Sequence, residues 1–231
     1  MHLTLDEARV VREAFERDAV ASAFGWSRRS YAPMHDFPRL RAALHDKYPE
    51  YIVAFDVVFE SDQGNQVDWH VDWESLGPWS IPSPWKAIRD THFRSIHFNL
   101  TPAGGALYTM FQWPVLAWLC HHIIVYNGLY GPLHRTFNAL CRPLFSLFAT
   151  RHPSEPRVGN PFDNMRLHSI SEGAPRLSYV VRLVRRDVVF TRAGIERGLA
   201  QSSAVAPLAR MLLDRLGPDR EECPAHELDR Q

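Results

Sequence analysis

Thr4-Leu5-Asp6-Glu7 has the form of a capping box, and Leu5, Ala8, Val11, Phe15 and Ala19 then return at helical spacing. This pattern predicts an amphipathic helix over 5–23. A second, short helix is expected through 37–47. From Tyr51 the period changes. Tyr51 to Phe59 is β-branched and aromatic, as in a buried strand, and Ser61-Asp62-Gln63-Gly64-Asn65 is a polar turn. Gln66 to Trp73 alternates and predicts the next strand. Residues 74–92, with Pro78, Pro82, Pro84, Trp79 and Trp85, read as loop. Phe93 to Leu100 alternates again, Thr101 to Gly105 turns, and Ala106 to Met110 is a short strand. Met165 to Ser171 and Leu177 to Val184 are expected to flank a Gly173/Pro175 turn, with one more strand over 187–190. Residues 193–216 read as helical and 217–231 as a polar tail expected to fray. Short strands separated by turns, with helices at both ends, predict a mainly β barrel or sandwich with flanking helices.

One stretch breaks the pattern. Residues 101–150 hold no Asp or Glu, and their only charged residues are Arg135 and Arg142. The apolar run from Trp113 to Tyr126 contains Pro114, His121 and His122, so it is short and interrupted beside the ~20 clean residues of a membrane span. The plain expectation for 111–157 is an insertion packed on the barrel. The sharper readings are a lid over an apolar substrate, a homodimer face or a membrane-surface patch.

Composition narrows the function classes. A chain of 231 residues fits one domain, over 1–216, followed by the tail. Lys+Arg and Asp+Glu both number 26, which argues against nucleic acid as a main partner. At 45% hydrophobic and 23% charged, the chain has an ordinary globular balance. Cys120, Cys141 and Cys223 are odd in number and widely spaced, so neither a disulfide framework nor a zinc knuckle is indicated. The first residues have no signal-peptide pattern, and no transmembrane segment is expected; the default location is cytoplasmic. GxSxG, Walker A, GxGxxG and HExxH are all absent from the sequence. What remains unexplained is 12 His.

Two places put histidine in a chemical setting. In Trp69-His70-Val71-Asp72-Trp73, His70 and Asp72 stand two apart within a strand pattern, so imidazole and carboxylate share a face and can converge on one metal. In Gly159-Asn160-Pro161-Phe162-Asp163-Asn164-Met165-Arg166-Leu167-His168, a His opens a strand after a glycine. Eight residues on come Arg176-Leu177-Ser178, which present a guanidinium fork and a hydroxyl on one strand face, suited to a carboxylate. Two His and one Asp leave three positions open on an octahedral iron, the arrangement of non-haem Fe(II) oxygenases.

With these pieces the chain resembles the Fe(II)/2-oxoglutarate-dependent oxygenase superfamily. The match rests on His70-x-Asp72, the FRSIHFNLTPAGGAL segment at 93–107, the 159–168 segment and Arg176-Leu177-Ser178, within roughly residues 51–190. The resemblance implies a distorted double-stranded β-helix (jelly-roll or cupin-like) core. It implies His70, Asp72 and His168 as catalytic iron ligands, and Arg176 and Ser178 holding the distal carboxylate of 2-oxoglutarate. Asn99 and Tyr108 lie on strands that contribute to the co-substrate pocket in such enzymes. The cofactors implied are Fe(II), 2-oxoglutarate as co-substrate, and O2. The reaction implied is hydroxylation, desaturation or cyclisation at an unactivated C–H bond, with release of succinate and CO2. Halogenation is disfavoured because Asp72 occupies the position that Gly or Ala takes in related halogenases. Neutral charge, the Trp-rich loop and the uncharged block favour a small-molecule substrate, such as an amino-acid derivative or natural-product intermediate.

Alternatives stay open at this stage. The 96 positions from Asp72 to His168 exceed the usual spacing, and an insertion at 111–157 accounts for the excess. His134, with Arg142 eight residues on, competes as second histidine ligand, although Arg142-Pro143 breaks any strand there. His97 reads as a packed, hydrogen-bonded histidine. The rival functions are a cupin-like metal enzyme that does not use 2-oxoglutarate, and a non-catalytic binding module that uses the apolar 111–150 block.

Overall fold

The expected strands form, and pairing sorts them into two sheets. The computed structural model describes residues 1–21, 28–30, 37–61, 67–72, 85–86, 88, 92–101, 105–127, 131–170, 175–201 and 206–229. The strands are β1 (Val20–Ala21), β2 (Arg28–Ser30), β3 (Tyr51–Ser61), β4 (Val67–His70), β5 (Phe93–Asn99), β6 (Ala106–Thr109), β7 (Thr150–Pro153), β8 (Gly159–Asp163), β9 (His168–Ile170), β10 (Arg176–Arg185), β11 (Val189–Thr191) and β12 (Glu222–Pro224). One sheet has the order β1-β2-β3-β10-β5-β8 and the other β4-β9-β6-β7, with antiparallel ladders throughout. From β3 to β10 the chain therefore visits the large sheet at β3, β5, β8 and β10 and the small one at β4, β6, β7 and β9. This double-sheet crossing pattern is that of a jelly roll. Trp73, Trp79 and most of the 74–92 loop, with Gly173 of the expected turn, lie outside the described residues.

The two faces of β10 explain where the site can be. Leu177, Tyr179, Val181 and Leu183 point to one face and form a core with Val58, Ile96 and Phe98. Helices α1 (Leu5–Asp18) and α2 (Pro38–Lys47) cover that core with Val11, Phe15, Leu40 and Leu44. The capping box at Thr4 and Glu7 is formed, and Ala19 is extended, so α1 stops short of the expected residue 23 and runs into β1. The opposite face of β10 carries Arg176, Ser178, Val180 and Arg182 toward the small sheet. Arg176 and Arg182 are only 3% and 6% exposed, and charged side chains reach such burial only with partners or a function.

Three segments depart from expectation. The apolar block folds as two helices, α3 (Pro114–Asn127) and α4 (Pro132–Phe148), between β6 and β7. Thr109 pairs with Thr150, so the chain leaves the small sheet and rejoins it at one place. The C-terminal helical stretch is two helices, α5 (Arg192–Gln201) and α6 (Ala206–Leu216). The tail is not frayed over its described part. β12 pairs with β11, and a 3-10 turn follows at Ala225–Asp229. Cys223 and Ala225 are fully buried, a short apolar signal that the surrounding charges mask.

Candidate metal centre

Strand pairing sets two histidines opposite each other. His70 at the end of β4 lies across from His168 at the start of β9, and their rings are 4.3 Å apart. Asp72 follows two residues beyond His70. Its Oδ1 is 3.3 Å from His70 Nε2 and its Oδ2 is 3.4 Å from His168 Nε2. Among the described residues these three side chains form the group of ligand atoms that can hold one metal ion. Donors ~2.1 Å from a shared ion and about 90° apart sit about 3 Å from one another, close to the separations seen.

The imidazoles are oriented for this role. His70 Nδ1 is 2.7 Å from the carbonyl oxygen of Asp68, and His168 Nδ1 is 2.9 Å from that of Arg166. A carbonyl only accepts, so each Nδ1 carries the proton and each Nε2 presents its lone pair toward Asp72. Both rings use the carbonyl two residues upstream. Burial, followed by the neighbouring His70, lowers the proton affinity of His168, which favours the neutral ligand form. Burial opposes ionisation of Asp72, but the Arg182 guanidinium outweighs it and holds the carboxyl well below the usual carboxylate range.

Asp72 is fixed by a closed ring of hydrogen bonds. Arg182 Nη1 donates to Asp72 Oδ2 at 2.5 Å and to Ser95 Oγ at 2.7 Å. Ser95 Oγ donates to Asn164 Oδ1 at 2.6 Å. The Asp72 backbone N–H donates to the Asn164 carbonyl at 2.8 Å. Sequence reasoning missed Arg182, Ser95 and Asn164. A signal existed for Arg182: it stands an even number of residues from Arg176 and Ser178, on the same strand face. Ser95 faces Arg182 across the ladder, which no local pattern reveals.

The other expected residues are placed as follows. Arg176 and Ser178 are buried on the inner face of β10, and Ser178 Oγ has no hydrogen-bond partner among the described residues. Asn99 lies opposite Ser178, but its Oδ1 accepts from the N–H and hydroxyl of Thr101 and its Nδ2 reaches Ser154 O at 3.4 Å. Its amide thus closes the turn after β5. Tyr108 requires a correction. It pairs with Ser169, whereas Thr109 pairs with His168, so Tyr108 is on the face away from His70 and His168. His134 is fully buried, but on α4 its Nε2 donates to the Trp69 carbonyl at 2.9 Å. It therefore braces the strand beside His70 and does not join the cluster.

His97 departs from its expected hydrogen bonding. It is packed at 3% exposure, yet neither ring nitrogen has a hydrogen-bond partner among the described residues. It lies opposite Val180, between Ser178 and Arg182 along β10. Burial, then the charges of Arg176 and Arg182, push its pKa down to about 3. Burial, then His122, pushes His121 down to about 4. Both are neutral in the fold, while unfolded histidines take protons near pH 6.5. Because the folded values are lowered, their contribution is complete above pH ~6.5 and is lost as pH falls toward the folded values. Each costs up to ~1.4 kcal/mol of stability per pH unit in that window. Urea unfolding of the apo protein is expected to show a clear loss between pH 7.5 and 5.5, and an unchanged free energy contradicts this account.

No family model matches the chain, and no curated protein matches it. Solved structures do. The non-haem α-ketoglutarate-dependent carbocyclase SnoK from nogalamycin biosynthesis aligns over 81% of this chain and 78% of its own, at 12% identity and a TM-score of 0.51. The two proteins share a fold. The chain is thus a distorted double-stranded β-helix of the kind seen in a 2-oxoglutarate-dependent enzyme. Two further matches score lower. The epimerase SnoN of the same biosynthesis has 12% identity, covers 81% of this chain and 76% of its own, and has a TM-score of 0.49. HygX from Streptomyces hygroscopicus, with nickel and 2-oxoglutarate bound, has 12% identity, covers 79% and 80%, and has a TM-score of 0.47.

Proposed function

We propose that this protein is a non-haem Fe(II)- and 2-oxoglutarate-dependent dioxygenase that oxidises a C–H bond of a small molecule. The carrying observation is the His70–Asp72–His168 cluster, with both Nε2 atoms and the carboxylate facing one point. Two neutral imidazoles and one carboxylate form a donor set suited to Fe(II) that leaves half of an octahedron open. Iron held there supplies the redox chemistry that couples O2 and 2-oxoglutarate to oxidation of the substrate.

The chain's own residues do the positioning. His70, Asp72 and His168 hold the ion, and Arg182 keeps Asp72 ionised and oriented. Arg176 and Ser178 hold the distal carboxylate of 2-oxoglutarate, and His97 lies between that pair and Arg182 with ring nitrogens left to meet a ligand. Burying Ser178 Oγ and the His97 ring nitrogens without partners among the described residues costs about 1–3 kcal/mol each, a cost that ligand binding removes. Hydroxylation, desaturation and cyclisation are all compatible with this assembly. The near-neutral chain favours an amino-acid derivative or natural-product intermediate over a nucleic acid.

The test is anaerobic. Fe(II) and 2-oxoglutarate added together are expected to produce a weak visible charge-transfer band that neither produces alone. Absence of the band, with Fe(II) bound, would favour a metal enzyme that does not use 2-oxoglutarate.

A further inference from the structure

The strand that carries His70 is irregular just before that residue. In the order β4-β9-β6-β7, β4 is an edge strand and pairs with β9 alone among the described residues. Val67 lies opposite Ile170 and His70 opposite His168, with a register shift between them. Three steps along β4 thus answer two along β9, so β4 holds one extra residue, a bulge at Asp68-Trp69. Continued without it, the register from Val67 would set Trp69 opposite His168 and turn His70 out of the site. The bulge is therefore what aims His70 at the metal position. It also frames the imidazole, because the carbonyl that holds His70 Nδ1 at 2.7 Å belongs to Asp68.

A bulge on an edge strand leaves backbone groups that no neighbouring strand pairs. Here α4 pairs them. Asn138 Oδ1 accepts from the Trp69 N–H at 2.9 Å, and Asn138 Nδ2 donates to the Trp69 carbonyl at 3.3 Å. One side-chain amide thus engages both backbone groups of one residue, as another strand would. His134 Nε2 donates to the same carbonyl at 2.9 Å, and the Cys120 thiol of α3 reaches it at 3.7 Å. The Asn138 amide is steadied in turn, since Nδ2 also donates to the His134 carbonyl at 3.1 Å. The Trp69 ring packs on Phe145, with centroids 4.6 Å apart. His134, Asn138 and Phe145 follow one another by four and seven residues, so they share one face of α4.

The hairpin is rooted beside the other histidine. It leaves the small sheet after Thr109 and returns at Thr150, and Thr109 pairs with both Thr150 and His168. Phe111 before α3 meets Phe148 at the end of α4, with ring centroids 5.8 Å apart, which closes the root. From there the helices reach across the sheet to β4, its far edge. One end of the hairpin is thus tied to the strand that flanks His168, and its inner face grips the residue before His70. The relative placement of the two imidazoles passes through both attachments.

We propose that Asn138 and His134 are positioning residues of the metal centre, which lock the bulge at Trp69 and so set the approach of His70 to the ion. The inference rests on the reading of His70, Asp72 and His168 as metal ligands. Co(II) titration of the full chain tests it, because the visible d–d bands of the bound ion report its coordination geometry. Asn138→Leu is expected to weaken Co(II) binding by about 10- to 100-fold, the range for outer partners of metal ligands, and to change the bands at saturation. His134→Leu is expected to act in the same direction, and His134→Gln, which keeps an N–H donor, to restore the wild-type spectrum. Phe137→Leu removes packing from the buried side of α4 but keeps the Trp69 hydrogen bonds. It is expected to lower the urea midpoint and leave affinity and spectrum alone. The two His134 variants carry the test even if Asn138→Leu folds poorly. Wild-type affinity and an unchanged spectrum in Asn138→Leu and His134→Leu overturn the proposal. So does a spectral change in Phe137→Leu as large as theirs, which would make α4 a general support of the fold. A wild-type chain that binds no Co(II) removes the metal-centre reading, and this proposal with it.

Discussion

Replacing Asp72 with alanine is expected to abolish Fe(II) binding and, separately, to destabilise the metal-free protein. Asp72 supplies the anionic ligand of the cluster and is also the counterion of Arg182 at 2.5 Å, with side-chain exposures of 14% and 8%. Removing it leaves a buried guanidinium with Ser95 Oγ as its remaining acceptor among the described residues. Breaking a buried pair in this way costs about 3–5 kcal/mol, whereas replacing both members by apolar groups is often close to neutral. The double variant Asp72→Ala/Arg182→Met is therefore expected to recover stability but not metal. Urea melts read the first effect, and anaerobic Fe(II) or Co(II) titration reads the second, with a loss of more than about 100-fold. Wild-type metal affinity in Asp72→Ala would sink the assignment.

Replacing Arg176 with glutamine is expected to raise the KM for 2-oxoglutarate by about 100-fold, with metal affinity in the absence of co-substrate unchanged. The reasoning is that a charge-assisted, two-pronged hydrogen bond to a carboxylate contributes about 2–3 kcal/mol in a buried setting. Arg176 is 3% exposed, and Ser178 stands on the same face of β10. Arg176→Lys retains the charge but loses the fork, so it is expected to recover only part of the affinity. Succinate release at graded 2-oxoglutarate concentrations measures the effect. An unchanged KM would reassign Arg176 to a structural ion pair.

Local pattern carried much of the fold. Strands β3, β5 and β10 are long, with apolar and β-branched residues matching the pleat, and α1 has its capping box. Helix α3 was not legible as such, because its apolar residues surround the axis. An all-round apolar run has no period to separate a helix from a buried strand. The packing of Cys223 and Ala225 was hidden for a related reason: two small residues among charged neighbours form no pattern.

The candidate site divides along the same line. By itself the sequence determined the chemistry that could assemble: a His and an Asp two apart in a strand pattern, a second His after Gly159, and Arg176 with Ser178 on one strand face. Those relations span a few residues and follow from the two-residue period of a strand. Tertiary structure decided which distant histidine completes the cluster. Pairing of β4 with β9 places His168 across from His70, while α4 turns His134 onto the Trp69 carbonyl. It also recruited Arg182, Ser95 and Asn164 around Asp72 and turned Tyr108 away. The physical reason is that sheet register and helix docking are settled by burying whole faces, and a partner chosen that way leaves no mark in the spacing of the residues it joins.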